Sequence, residues 1–253
     1  MIDTVTIDSR FNGPALSANG GWTGGLLARR LASSQSLSGK ELFPSVSVSL
    51  RAPPPLDIPL QIHRNEDASL TLKDGEHDLA HALLEQFELP LPKIPSMAIA
   101  RAASAEGFRR GLTRASWPYA KCFACGVSRN DGLCITPSPV GEKASEAVVA
   151  ASWTPSVWLA EHDGQVKLEA VWAALDCPAG IAWSYQLPEG APMVTARMSV
   201  SIIELPQVNQ AHIILGWPIE RDGRKLYAGT AILSSEGELL ASSRQLWLLS
   251  RTS

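Results

Sequence analysis

Nowhere in this 253-residue chain is there an apolar run of the roughly 18–20 residues that a membrane-spanning helix needs. Excess positive charge is lacking too. Lys and Arg number 22 against 25 Asp and Glu, a net charge of −3, which excludes the basic face that general nucleic-acid binding requires. The first residues, MIDTVTIDSR, lack the charged start and apolar stretch of a targeting signal, so a cytoplasmic setting with reduced thiols is expected. Cysteine is scarce, at four: Cys122, Cys125, Cys134 and Cys177. Cys122-Phe-Ala-Cys125 has the spacing of half a zinc site that Cys134 and His162 could complete. A second CxxC pair is missing, so no metal is expected, and the turn reads as one packed by small, soft side chains. The five histidines include no HExxH pattern. There is no Gly-x-Ser-x-Gly elbow, and GGWTGG lacks the lysine of a phosphate loop. Zincin, α/β-hydrolase and P-loop chemistries are thereby excluded.

What is present is periodicity. In the C-terminal part, residues 145–153 read as a strand and 167–182 as a helix, with Leu168, Val171, Trp172, Leu175 and Ala179 on one stripe. VTARMSVSI then alternates: Val194, Ala196, Met198, Val200 and Ile202 share one face, and Thr195, Arg197, Ser199 and Ser201 the other. Strands over 211–220, 226–234 and 239–249 follow, joined by turns containing Asp222-Gly223 and Glu236-Gly237. The N-terminal part repeats this order: a strand in TVTIDSR, a helix over 19–34, then strands at 44–53, 58–64, 69–73 and 77–89. A lone helix on a five-stranded antiparallel sheet stays half exposed. Two such units are therefore expected to lie back to back.

Between the repeats, residues 101–121 carry Arg101, Arg109, Arg110, Arg114 and Lys121 against Glu106 alone. This reads either as a solvated linker helix or as a contact for a phosphorylated ligand, since guanidinium groups pair well with phosphate oxygens.

The stretch LEAVWAALDCPAGIAW (168–183) carries an acid, Asp176, in apolar surroundings. A buried carboxylate costs several kcal/mol unless paired or neutralised. Pro178 predicts a kink or stop just beyond it. Placed near a helix end and beside Trp172, Asp176 is expected to have a raised pKa, which suits a general base. At the first helix, Asn19 is a good N-cap, and Gly20 and Gly21 leave the unpaired N-terminal amides open to an approaching carbonyl. Gly24 and Gly25 read as glycines that let this helix pack closely. Ala28 stands nine residues beyond Asn19. At the second helix Asp176 is present, but Lys167-Leu168-Glu169 replaces the glycines, and Glu169 is a reserve acid. One half carries the donors, the other the acid.

Strand, central helix and four-stranded meander, repeated in tandem, resemble a double hotdog, an α+β fold. Asn19-Gly20-Gly21 resembles the Gly-Gly element opening the hotdog helix of many thioesterases, and Asp176 falls where such enzymes place a catalytic acid. Gly237–Gln245 is similar to the closing strand of the acyl-CoA thioesterase II family, and CFACG…DGL (122–133) also precedes hotdog units in thioesterase-like proteins. The resemblance implies hotdog units at 1–92 and 142–253 around a linker at 93–141. It also implies an acyl-CoA thioesterase without a cofactor. Its site would hold Asp176, Gly20, Gly21 and Gln245, the last sharing a strand face with Ala241, Ser243 and Trp247. The family also uses a Thr or Ser on the strand after the helix. Thr195 is nearest, yet strict alternation turns it one residue out of step. The acyl group is expected between the helices near Asn19, Trp22 and Trp172, with Arg109 and Arg110 toward the CoA phosphates. Double hotdogs are expected to pair further as a homodimer. A hydratase or lyase on the same fold, and a non-catalytic binding module, are the alternatives.

Overall fold

The alternating strands and the two apolar helices of the sequence assemble into one sheet backed by a helix pair. The computed structural model describes residues 2–33, 43–113, 119–141 and 148–250. Ser34, Arg114 and residues 145–147 lie outside them. The first unit runs β1 (Ile2–Thr6), α1 (Gly20–Ala32), β2 (Val46–Leu50), β3 (Pro59–Arg64), β4 (Leu70–Asp74) and β5 (His77–Leu84). After α2 (Met97–Thr113) and the short β6 (Ser138–Pro139) come β7 (Val149–Trp153), α3 (Leu168–Ser184), β8 (Met193–Ile202), β9 (His212–Asp222), β10 (Lys225–Leu233) and β11 (Leu239–Leu249).

Among the described residues the sheet has 11 strands in the order β1-β3-β4-β5-β2-β8-β11-β10-β9-β7-β6. Read outward from the middle, β2-β5-β4-β3-β1 matches β8-β11-β10-β9-β7, so the second unit repeats the first about the β2–β8 seam. That seam pairs Val46 with Val200 and Val48 with Met198. The units therefore join edge to edge rather than back to back. Backbone hydrogen bonds close two sheet edges that would otherwise be open. Gly75 and Gly223, with φ of 55° and 56°, occupy hairpin positions that require the left-handed region.

The helices meet over this sheet. A Cβ on Gly21 would stand 2.4 Å from the Trp172 carbonyl oxygen, and one on Gly25 2.6 Å from the Glu169 Cα. Glycines on α1 thus let the two backbones touch. α3 is buried on nearly every side, from Leu168 to Trp183, as a helix packed against both a partner helix and a sheet must be. Pro178 does not end it: α3 continues to Ser184. The proline ring removes one backbone bond, but packing of Ala179, Ala182 and Trp183 keeps the following turns helical.

Most of α2 from Arg101 onward is exposed, as a solvated helix would be, but the segment leading into it is packed. Leu89, Leu91, Met97 and Ala100 pack on Ile213, Leu215, Ala231 and Leu233. The neighbouring residues Ile214 and Ile232 belong to the main core instead. Alternation puts these two sets on opposite faces of the strands, so the segment around α2 covers the outer face of the second unit. For the same reason the strand expected over 77–89 ends at Leu84.

Candidate functional site

Asn19 begins the site by capping α1: its Oδ1 accepts the Trp22 N–H at 2.8 Å, the usual use of an Asn at this position. Its Nδ2 reaches across to α3 and donates to Asp176 Oδ2 at 3.0 Å. The Gly21 N–H donates to the same oxygen at 3.0 Å, and Thr195 Oγ1 donates to Asp176 Oδ1 at 2.7 Å. Three donors, two from the start of α1 and one from β8, thus converge on one carboxylate that is 3% exposed. Burial pushes its pKa up to about 6, against the hydrogen bonds from Thr195, Gly21 and Asn19 that hold it down. The expected contribution of a helix end is absent, because α3 runs two turns beyond Asp176.

Thr195 reaches Asp176 because β8 carries a bulge. Arg197 pairs with Leu246 and Thr195 with Trp247, leaving Ala196 without a partner. One extra residue reverses the alternation. Met198, Val200 and Ile202 point into the core after the bulge, as do Met193 and Thr195 before it. The apparent one-residue slip in the sequence is this bulge.

Asp176 and Thr195 line a largely apolar cavity together with Asn19 and Gly20. Leu50, Pro53, Pro54, Ile181, Met193 and Trp247 form much of its wall. Gly20 is positioned differently from Gly21. A Cβ there would lie 3.4 Å from Asp176 Oδ2 and 2.8 Å from the Leu50 methyl, so Gly20 keeps the space beside the acid open. Among the described residues its N–H meets no acceptor, whereas the Gly21 N–H is taken by Asp176. The amide free to meet a ligand is therefore that of Gly20, the first residue of the helix.

Other expected residues lie elsewhere. Gln245, 1% exposed, donates to the Leu175 carbonyl at 2.6 Å and to Thr230 Oγ1 at 3.1 Å, and accepts from Trp247 Nε1 at 2.8 Å. It is tied to the α3 backbone and is not among the residues that line the cavity. Trp22 stacks on Phe11 with centroids 3.5 Å apart, and Trp172 packs beneath Gly24. Both are core side chains, so the expected acyl site between them is filled. Arg109 is exposed and paired with Glu106. Arg110 lies over the Tyr185 ring, 4.1 Å from its centroid, in a smaller depression that shares Tyr119 and Cys125 with the main cavity.

The sequence reading missed the cavity wall contributed by Leu50 at the end of β2 and by Pro53 and Pro54 just after it, where only a proline cluster signals a non-strand segment. It also missed that Cys177 lies beside Cys122. Their sulfurs are 3.7 Å apart.

Comparison with solved structures agrees with this fold. A hotdog-fold protein of unknown function from Alicyclobacillus acidocaldarius superposes with a TM-score of 0.63 at 14% identity, over 100% of this chain and 94% of its own. A protein assigned as a thioesterase II from Thermobifida fusca gives 0.63 at 16%, over 99% and 92%. The tesB protein of Mycobacterium avium subsp. paratuberculosis gives 0.61 at 15%, over 99% and 93%. No family model matches the sequence, and a search of curated proteins found no match. The fold is thus a tandem hotdog, and hotdog thioesterase structures stand among its neighbours. Among the described residues no helix is long and apolar enough to cross a membrane.

Proposed function

We propose that this protein hydrolyses the thioester of an acyl-CoA, with Asp176 as general base and the Gly20 amide as donor to the carbonyl oxygen. The observation that carries this reading is the Asp176 carboxylate on an apolar cavity wall, beside the open N-terminus of α1. A thioester carbonyl entering over Gly20 meets an N–H at the positive end of the helix dipole, where one such donor is worth roughly 3–4 kcal/mol of transition-state stabilisation. Asp176 takes a proton from water as its oxygen bonds to the carbonyl carbon. Collapse of the tetrahedral adduct expels the thiolate, which recovers a proton, leaving carboxylic acid and free thiol. Thr195, Asn19 and the Gly21 N–H fix the carboxylate, so that little reorganisation accompanies proton transfer.

The apolar wall suits a hydrocarbon or aromatic acyl group, and in this reading Arg110, which lines the adjoining depression, meets the carrier phosphates. The test is free-thiol release from a panel of acyl-CoAs by wild type and Asp176→Asn. The reading expects hydrolysis lost by a factor of about 10²–10⁴ with folding retained. Hydrolysis insensitive to the substitution refutes it. Turnover without thiol release would redirect the site to hydratase or lyase chemistry.

A further inference from the structure

Beside the acid lies a cluster that the thioesterase reading does not use. Cys122 and Cys125 come from the turn after α2, and Cys177 from α3. Their three sulfurs all lie within 4.8 Å of one another, although Cys122 and Cys177 are 55 residues apart in sequence. The fourth cysteine, Cys134, does not belong to the group. We propose that Cys122, Cys125 and Cys177 together bind a thiophilic divalent cation of the zinc type, one per chain, its fourth coordination position facing the main cavity.

Geometry supports this in three ways. Zinc–thiolate bonds of about 2.3 Å place tetrahedral sulfurs about 3.8 Å apart, and Cys122 and Cys177 stand at 3.7 Å. A disulfide would need about 2.05 Å; the two are free thiols in hydrogen-bond contact, at a separation that two ligands of one ion also adopt. Next, the Cys122 sulfur gathers donors. The Asn19 side-chain amide donates to it at 3.9 Å, beside the Cys177 thiol. Such an amide donor orients a metal-bound thiolate and stabilises its charge. Finally, the turn itself is built for close approach. The Gly126 N–H donates to the Cys122 carbonyl at 2.8 Å, and a Cβ on Gly126 would lie 2.5 Å from that oxygen. Glycine directly after the CxxC pair lets the turn close around its sulfurs.

All three cysteines also line the cavity. Asp176 stands outside the group of mutually close ligand atoms, so three positions come from sulfur and the fourth is left for water or a ligand, the ligand count of an open site. Binding displaces the thiol protons to solvent and ties the turn to α3. The inference does not depend on the reaction assigned to Asp176.

The test uses the full chain, purified with reductant and stripped of metal. Titration with Co²⁺ is expected to saturate at one ion per chain with a sulfur-to-cobalt charge-transfer band, displaced by one equivalent of Zn²⁺. X-ray absorption at the zinc edge should count three sulfur neighbours. Cys122→Ser and Cys177→Ser should each weaken binding by at least about tenfold, and Cys134→Ser should bind as wild type. Should a variant fail to fold, as read by circular dichroism, the wild-type titration and sulfur count decide alone. No charge-transfer band in reduced, folded wild type, a sulfur count other than three, or a band unchanged by the Cys122 and Cys177 substitutions would each overturn the proposal.

Discussion

Adding one methyl group at each of two adjacent glycines separates a packing role from a catalytic one. In Gly21→Ala the new carbon would sit 2.4 Å from the Trp172 carbonyl oxygen and 2.7 Å from the Ala173 Cα. Both are backbone atoms, and an ordinary C···O approach is about 3.3 Å, so the helices must part by about 0.9 Å. Overpacking of this kind costs roughly 1–3 kcal/mol, offset by the 0.5–1 kcal/mol that alanine gains over glycine in a helix. The net expectation is a loss of about 1–2 kcal/mol in chemical denaturation. In Gly20→Ala the close contact is instead the Leu50 Cδ1, 2.8 Å away at the end of a side chain that can rotate. Stability should change by less than about 0.5 kcal/mol. The methyl nevertheless stands 3.4 Å from Asp176 Oδ2, in the space assigned to the carbonyl, so kcat/KM should fall by at least about tenfold. Denaturation midpoints and thiol release measured on both variants check this. A stable, fully active Gly20→Ala, or a Gly21→Ala as stable as wild type, would refute the reasoning.

Two further outcomes follow from buried polar groups. Gln245→Ala strands the Leu175 carbonyl, Thr230 and the Trp247 N–H, and should cost about 2–4 kcal/mol in denaturation. The rate per folded molecule should stay within a few-fold, and its collapse would return Gln245 to the catalytic set. His212 is buried with an unpartnered Nδ1, and burial holds its pKa below the usual 6.5. The unfolded chain therefore binds a proton that the folded one resists, so stability falls as pH drops below about 6.5 toward the folded value. His212→Phe should flatten that part of a pH series of melting temperatures, and parallel curves would exclude the assignment.

Most elements were legible because their side chains answer to local periodicity. The clean alternation of 226–234 and 239–249 became β10 and β11 with nearly the expected bounds. What sequence did not reveal depends on contacts between distant segments. Thr195 looked misplaced because a bulge at Ala196 is invisible to an alternation count, and only pairing with β11 exposes it. Asp176 looked like a residue near a helix end because Pro178 weakens a helix in isolation. Burial of Trp183 and its neighbours outweighs that weakness. Gln245 shares a strand face with Trp247 as expected, but Trp247 reaches the cavity while Gln245 stops at α3. Periodicity gives the face, not how far along it the cavity extends. Cys177 could not be matched to the CxxC turn because no spacing rule links a loop to a helix 55 residues away.

The two halves of the sheet are related closely enough that each helix start has a counterpart, and the counterparts have gone separate ways. Gly21 and Asp176 face each other on one side. Nine residues beyond the two caps, Asp176 corresponds to Ala28, and the position of Gly21 corresponds to Glu169. On that second side no carboxylate stands on α1 to receive an amide. Arg29 instead grips Glu169 through two hydrogen bonds of 2.6 and 2.7 Å and also pairs with Glu161 at 2.7 Å. A guanidinium held by two carboxylates clamps this side shut by tying α1 to α3, where Ala28 and Leu168 line only a small apolar hollow. In a dimer of identical units every substitution would alter both sides at once, so closing one with an arginine would close the other. Joining the halves in one chain removes that constraint. One helix pair can then devote one end to a charged lock between α1 and α3 and the other to a cavity with its buried acid.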